Sequence, residues 1–185
     1  MADEERTPDS QAGGATQTGD AAAGNDGGPQ LVLQKIYVKD LSFESPKAPE
    51  VFTTNVSPQT QLNLRYSNRD LGQDNIEVTL TITVEAKHED TTLFLVELAQ
   101  AGVFLVRGYE PDQKATIIGS FCPNTLYPFA REAIADLIQR GGFPQLLLQP
   151  INFDALYAQA LKERTEQGIS MTNPVAQPAG SGENH

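Results

Sequence analysis

Side chains able to do chemistry are scarce in this sequence. There are two histidines, His88 and His185, and one cysteine, Cys122. His88 sits in the polar run His88-Glu89-Asp90 and His185 ends the chain, so neither stands beside a nucleophile that it could deprotonate. Cys122 precedes Pro123 at the expected start of a helix, where the helix dipole could lower a thiol pKa. A small semi-buried residue at a strand-to-helix junction is the plainer reading. The carboxylate pairs Glu89-Asp90 and Glu110-x-Asp112 read as solvated turns. One cysteine and one core histidine cannot complete a metal site. No phosphate-binding glycine loop, nucleophile elbow or zinc-protease helix motif occurs. The residues therefore predict no catalytic site, no metal and no cofactor.

Charge narrows the partners. The 13 basic and 24 acidic residues leave a net charge of −11. A nucleic-acid binder needs a cationic surface to displace counterions, so that class is excluded, and adsorption to anionic lipid is disfavoured. No apolar run approaches the roughly 20 residues that span a bilayer, so no stable membrane insertion is expected. The acidic start Met1-Ala2-Asp3-Glu4-Glu5 does not resemble a secretory signal, and a lone cysteine builds no disulfide framework. Together these point to the reducing cytoplasm.

The elements that must position any site lie in the middle of the chain. Residues 1–29 hold six glycines and six acids but no Val, Ile, Leu, Phe or Tyr. They cannot bury enough apolar area to offset the entropy of ordering, so disorder is expected, as it is for residues 166–185. All 13 aromatics fall in residues 30–165, which form the predicted domain. From Ile76 to Lys87 apolar and polar residues alternate without a miss, as in a strand with one buried face. After the polar turn a second strand starts near Thr92, pairing Val84 with Phe94, Ile82 with Val96 and Leu80 with Leu98. Leu62, Leu64 and Tyr66 mark another strand and residues 31–43 a first one, whose alternation slips near Gln34-Lys35 and so predicts a bulge.

Leu93, Phe94, Leu95, Val96 and Leu98 are apolar on both faces, and Val103 to Val106 repeat that. Either other parts of the chain cover both, or a second subunit or a ligand covers one. Helical spacing appears after Pro123 in Leu126, Phe129, Ala130, Ala133, Ile134, Leu137 and Ile138, with Gly141-Gly142 as a stop. A second helix starts near the N-cap Asn152, with a stripe of Phe153, Leu156, Tyr157, Ala160 and Leu161. The connection between them carries three consecutive leucines, Leu146 to Leu148. Strands first and helices last predict an α+β fold. Surplus apolar surface predicts an oligomer or a binding groove, and a binder rather than an enzyme.

Three blocks carry a family resemblance: Lys35 to Phe52 (KIYVKDLSFESPKAPEVF), Phe121 to Glu132 (FCPNTLYPFARE) and Gly141 to Tyr157 (GGFPQLLLQPINFDALY). In this order, over about residues 30–165, the chain resembles the SecB family of bacterial export chaperones. The resemblance implies a four-stranded antiparallel sheet followed by a long helix, an extended apolar crossover loop and a second helix. It implies a homotetramer, a dimer of dimers, that holds unfolded preproteins without ATP and delivers them to the translocase motor SecA. Asp40, Glu44, Leu95 and Glu97 match the family's SecA-docking surface, which meets a basic, zinc-bearing tail of SecA. Val96, Leu98 and Gln100 match positions linked to assembly. Phe52, Tyr66, Phe143 and Leu147 are the expected contributors to the client groove. Where family members carry a tryptophan near that groove, this chain has Val56. A variant of the same reading gives the fold one dedicated client, such as an antitoxin.

Overall fold

The alternating run of residues 76–87 is the spine of a four-stranded antiparallel sheet. The computed structural model describes residues 28–54 and 56–166. The segments expected to be disordered, 1–29 and 166–185, lie almost wholly outside the described residues. The strands are β1 (Gln30–Glu44), β2 (Gln59–Gly72), β3 (Asn75–His88) and β4 (Thr91–Arg107), in the order β1-β4-β3-β2. Val78, Leu80, Ile82, Val84 and Ala86 of β3 are fully buried, as a half-buried strand of period two requires.

The β3–β4 hairpin forms, but its register differs by two residues from the one the sequence suggested. Val84 faces Val96, Ile82 faces Leu98 and Leu80 faces Gln100. The turn closes on Glu89-Asp90, with Glu89 at φ 51°, and this moves the pairing by one residue. An irregularity between Ala86 and Lys87 moves it by another. A slip of two keeps every side chain on its expected face. In β1 the anticipated bulge lies between Leu33 and Lys35, and a second falls between Val38 and Asp40. Each bulge flips the alternation once. As a result Leu33, Ile36, Val38, Leu41 and Phe43 all lie opposite even-numbered β4 residues, on the face that the helices cover.

The first helix begins well before the expected start. Helix α1 (Pro111–Thr116) runs without a break through a π-helical turn, Ile117–Phe121, into α2 (Cys122–Arg140). Glu110 caps α1: its side chain accepts from the backbone N–H of Gln113, whose own side chain accepts from the Glu110 N–H at 3.3 Å. Pro111 sits at the start of the helix, where a missing N–H costs nothing. The Cys122 N–H bonds back to the Ile117 carbonyl. Pro123 therefore follows a widened turn inside a helix instead of opening one. Gly141 and Gly142 end α2 as expected, the latter at φ 86°.

Cys122, Leu126, Ala130, Ile134 and Ile138 press α2 onto the sheet and are fully buried. Gly102 of β4 lets the Leu126 side chain come close, since a methyl there would stand 2.9 Å from it. The crossover from Phe143 to Asn152 is extended and leads to α3 (Phe153–Glu166). The Asn152 carboxamide caps α3, accepting from the Ala155 N–H at 3.0 Å. The Tyr127 hydroxyl donates to the Gln149 carbonyl at 2.5 Å and pins the loop along α2. The fold is α+β, as the chain pattern predicted.

Candidate functional site

Two faces of the sheet differ in character, and every expected site residue falls on one or the other. On the helical side, the connection between β1 and β2 forms a short 3-10 turn, Glu50–Thr53, that carries Phe52. The Phe52 ring lies 5.3 Å from that of Phe143 at the start of the crossover, and Phe143 lies 4.8 Å from Phe94 of β4. Phe43 completes this aromatic cluster at 6.2 Å from Phe94. Phe52 remains 51% exposed, so the cluster has a solvent-facing rim.

Tyr66 belongs to a second cluster on the same side, where its hydroxyl and the Tyr157 ring converge on Gly119 of the π turn. Burial pushes the Tyr66 hydroxyl pKa up. Leu147 stands apart from both clusters. It is 66% exposed and lines a shallow cleft on α2 with Pro128, Glu132 and Gln139. The structure thus joins Phe52 with Phe143 and leaves Tyr66 and Leu147 in separate settings. Leu62, two pleats from Tyr66 on the same side of β2, is 44% exposed, and the groove expectation omitted it. Its period-two relation to Tyr66 was the available signal. Val56, at the expected tryptophan position, packs half-buried against the core.

Among the described residues the opposite face carries no helix. The register puts Glu44 beside Leu95, Ser42 beside Glu97 and Asp40 beside Ala99, so Asp40, Glu44, Leu95 and Glu97 share one surface. Glu97 accepts from the Thr83 hydroxyl at 3.2 Å and pairs with Arg65 at 3.7 Å. Glu85 is held by Lys87 at 2.9 Å. Glu77 is nearly inaccessible, its side chain 4% exposed, yet it meets Lys39 at 2.9 Å and Arg69 at 3.3 Å. The Tyr37 hydroxyl donates to its other oxygen. Burial alone would raise the Glu77 pKa, but hydrogen bonds from Tyr37 and Lys39 and the Lys39 and Arg69 charges outweigh it, and the carboxyl sits below its ordinary value.

Val96, Leu98 and Gln100 lie under the helical layer and are buried within the single chain. The Gln100 carboxamide donates to the Tyr37 carbonyl at 2.9 Å. Cys122 is also fully buried, within the continuous helix and not at a strand-to-helix junction. Burial pushes its thiol up to about 12, opposite to the activation that a helix start would give. His88 ends β3, its Nδ1 lying 3.4 Å from the Ser57 carbonyl.

A sheet with one helix-covered face, an apolar rim and a charged bare face defines an α+β protein with two unlike surfaces. Comparison with known proteins carries this further. Residues 24–164 match the family model described as preprotein translocase subunit SecB. The chain is 45% identical over 168 residues to protein-export protein SecB of Stenotrophomonas maltophilia, covering 91% of this chain and 95% of that one. It is 50% identical over 143 residues to that of Nitrosococcus oceani, covering 76% and 87%. A SecB-like chaperone of Mycobacterium tuberculosis, solved with a peptide from an antitoxin, superposes with a TM-score of 0.50 at 15% identity, covering 65% and 87%. That last likeness speaks for the fold alone. The chain belongs to the SecB family of protein-export chaperones.

Proposed function

We propose that this chaperone is an ATP-independent holdase that binds unfolded preproteins on its helical side and presents its bare sheet face to SecA. The observation that carries the reading is the division of surfaces. Phe52, Tyr66, Leu62 and Leu147 are exposed and Phe143 is half-buried, so together they offer apolar contacts of several shapes. Asp40, Glu44, Leu95 and Glu97 share the other side of the sheet. An unfolded chain exposes apolar side chains in no fixed order, and many weak contacts on a long ligand add up through effective concentration. Acidic surface favours clients with basic residues and keeps apolar rims soluble. A basic SecA segment would meet Asp40 and Glu44, the exposed carboxylates on the edge strand of that face.

A homotetramer in the cytoplasm is the proposed working form. Among the described residues no helix is long and apolar enough to cross a membrane. The dedicated-client reading draws on a fold likeness at 15% identity, while relatives at 45–50% identity are named protein-export proteins, so the general export role is favoured.

The test uses the full chain without nucleotide. It is expected to slow aggregation of several chemically unfolded substrates. Glu97→Lys is expected to weaken SecA binding and leave this holding activity unchanged. No protection of any substrate would refute the holdase role, and loss of both activities in Glu97→Lys would mean the two surfaces are misassigned.

A further inference from the structure

The carboxylates of the bare sheet face are not equivalent. Glu77 is locked: it is buried and gripped by Lys39 and Arg69 at 2.9 and 3.3 Å. Asp40 and Glu44 lie on the edge strand β1, exposed, with no ion pair to another described residue. Glu97 is intermediate. Its Oε2 takes both the Thr83 hydroxyl at 3.2 Å and an Arg65 nitrogen at 3.7 Å. The Arg65 side chain is 65% exposed and that of Glu97 40% exposed. A long, single-point pair of this kind in water is weak and screened by salt. It is loose enough to exchange, yet Arg65 is tethered to β2 and so stays at high effective concentration next to Glu97.

We propose that Arg65 is a resident competitor on the docking face, a guanidinium that occupies Glu97 until a cationic residue of the partner displaces it. The proposal rests on the docking role given above to this surface. It adds that the chain's own cation lowers the affinity of that surface and sets how strongly basic a partner must be. A partner offering a bidentate Arg would gain most, because the resident contact engages only one oxygen. The sign is distinctive. If Arg65 were instead a contact for an acidic patch of the partner, removing it would weaken binding.

Binding of full-length Arg65→Gln to SecA, measured across a salt series, tests this. The variant is expected to bind about two- to fivefold more tightly at low salt, the range that an exposed ion pair supports. The gain is expected to fade as salt rises and to vanish in a Glu97→Gln background. Unchanged or weaker binding would overturn the proposal, and so would a gain that persists without the Glu97 charge, since net charge alone would explain it. Glu97→Lys serves as the control. If it leaves SecA binding untouched, the docking role itself fails and the competitor role falls with it. If it weakens binding while Arg65→Gln gives no gain, only the competitor role fails.

Discussion

Glu77 shows what it takes to bury a carboxylate on a face that otherwise meets water. Tyr37 and Lys39 reach it from β1 across the intervening strand β4, where the small Ala101 stands opposite Tyr37. Arg69 closes in from β2. One side chain on β3 thereby ties both edge strands to the middle of the sheet. Because its pKa lies below the ordinary value, its ionised form stabilises the fold. That stabilisation is fully present above the unfolded carboxyl pKa and is lost as pH falls through the lower folded value. Glu77→Gln should therefore cost about 1.5–3 kcal/mol near neutral pH, the range for hydrogen bonds to a charged group. The difference from the parent should shrink toward zero in acid. Urea unfolding at several pH values measures this, and a cost that stays constant down to acid pH would show that packing, not charge, is what the residue supplies. Cys122 carries the opposite lesson. The neighbouring helical turn counts for less than the sheet against which the thiol is pressed.

At the level of elements, α3 is attached through a small seam. Gly119 sits in the π turn with the Tyr157 ring directly against it, and a methyl at Gly119 would overlap that ring. The Ser120 hydroxyl donates to Asp154 beside it. Gly119→Ala should therefore lift α3 while the sheet and α2 stay folded. Amide exchange should speed up in residues 153–166 and remain slow in β3 and β4. Equal protection in both proteins would mean the seam yields without opening. The strands were readable because period two is a property of adjacent residues, and the slip at Gln34 betrayed its bulge. The start of the helix at Pro111 was also present, in Glu110-Pro111 with Gln113 three residues beyond the cap, but a second proline at 123 offered a more familiar helix opening. The hairpin register was not readable, since a two-residue turn and a bulge each shift it by one and the two together leave the apolar face unchanged. The bare-face residues were named by family resemblance, and only the strand register shows that they share a surface. The clusters around Phe143 and Tyr157 join segments far apart in sequence, and local patterns carry no trace of such meetings.

Taken as a whole molecule, the chain has more apolar surface than its own helices cover. The stripe expected on α2 divides: Leu126, Ala130, Ile134 and Ile138 are buried, whereas Phe129 is 50% exposed. On the helical side of the sheet, Val38 and Leu41 of edge strand β1 are 47% and 43% exposed. The outer backbone edge of β1 lacks a neighbouring strand among the described residues, and such edges tend to be paired or covered. Helix flank and strand edge together suit the proposed assembly of copies, in which Val96, Leu98 and Gln100 would act by holding α2 at its height above the sheet. Each copy carries a net charge of −11, so apolar contact must overcome mutual repulsion. Salt, which screens repulsion between exposed charges, should accordingly strengthen assembly. Native mass measurement is expected to find four copies, and the double variant Leu41→Glu with Phe129→Glu should give smaller species with an unchanged helix and sheet signal. A parent protein that stays monomeric at every salt concentration would sink the assembly argument. A double variant that still forms four copies would move the interface to another part of the surface.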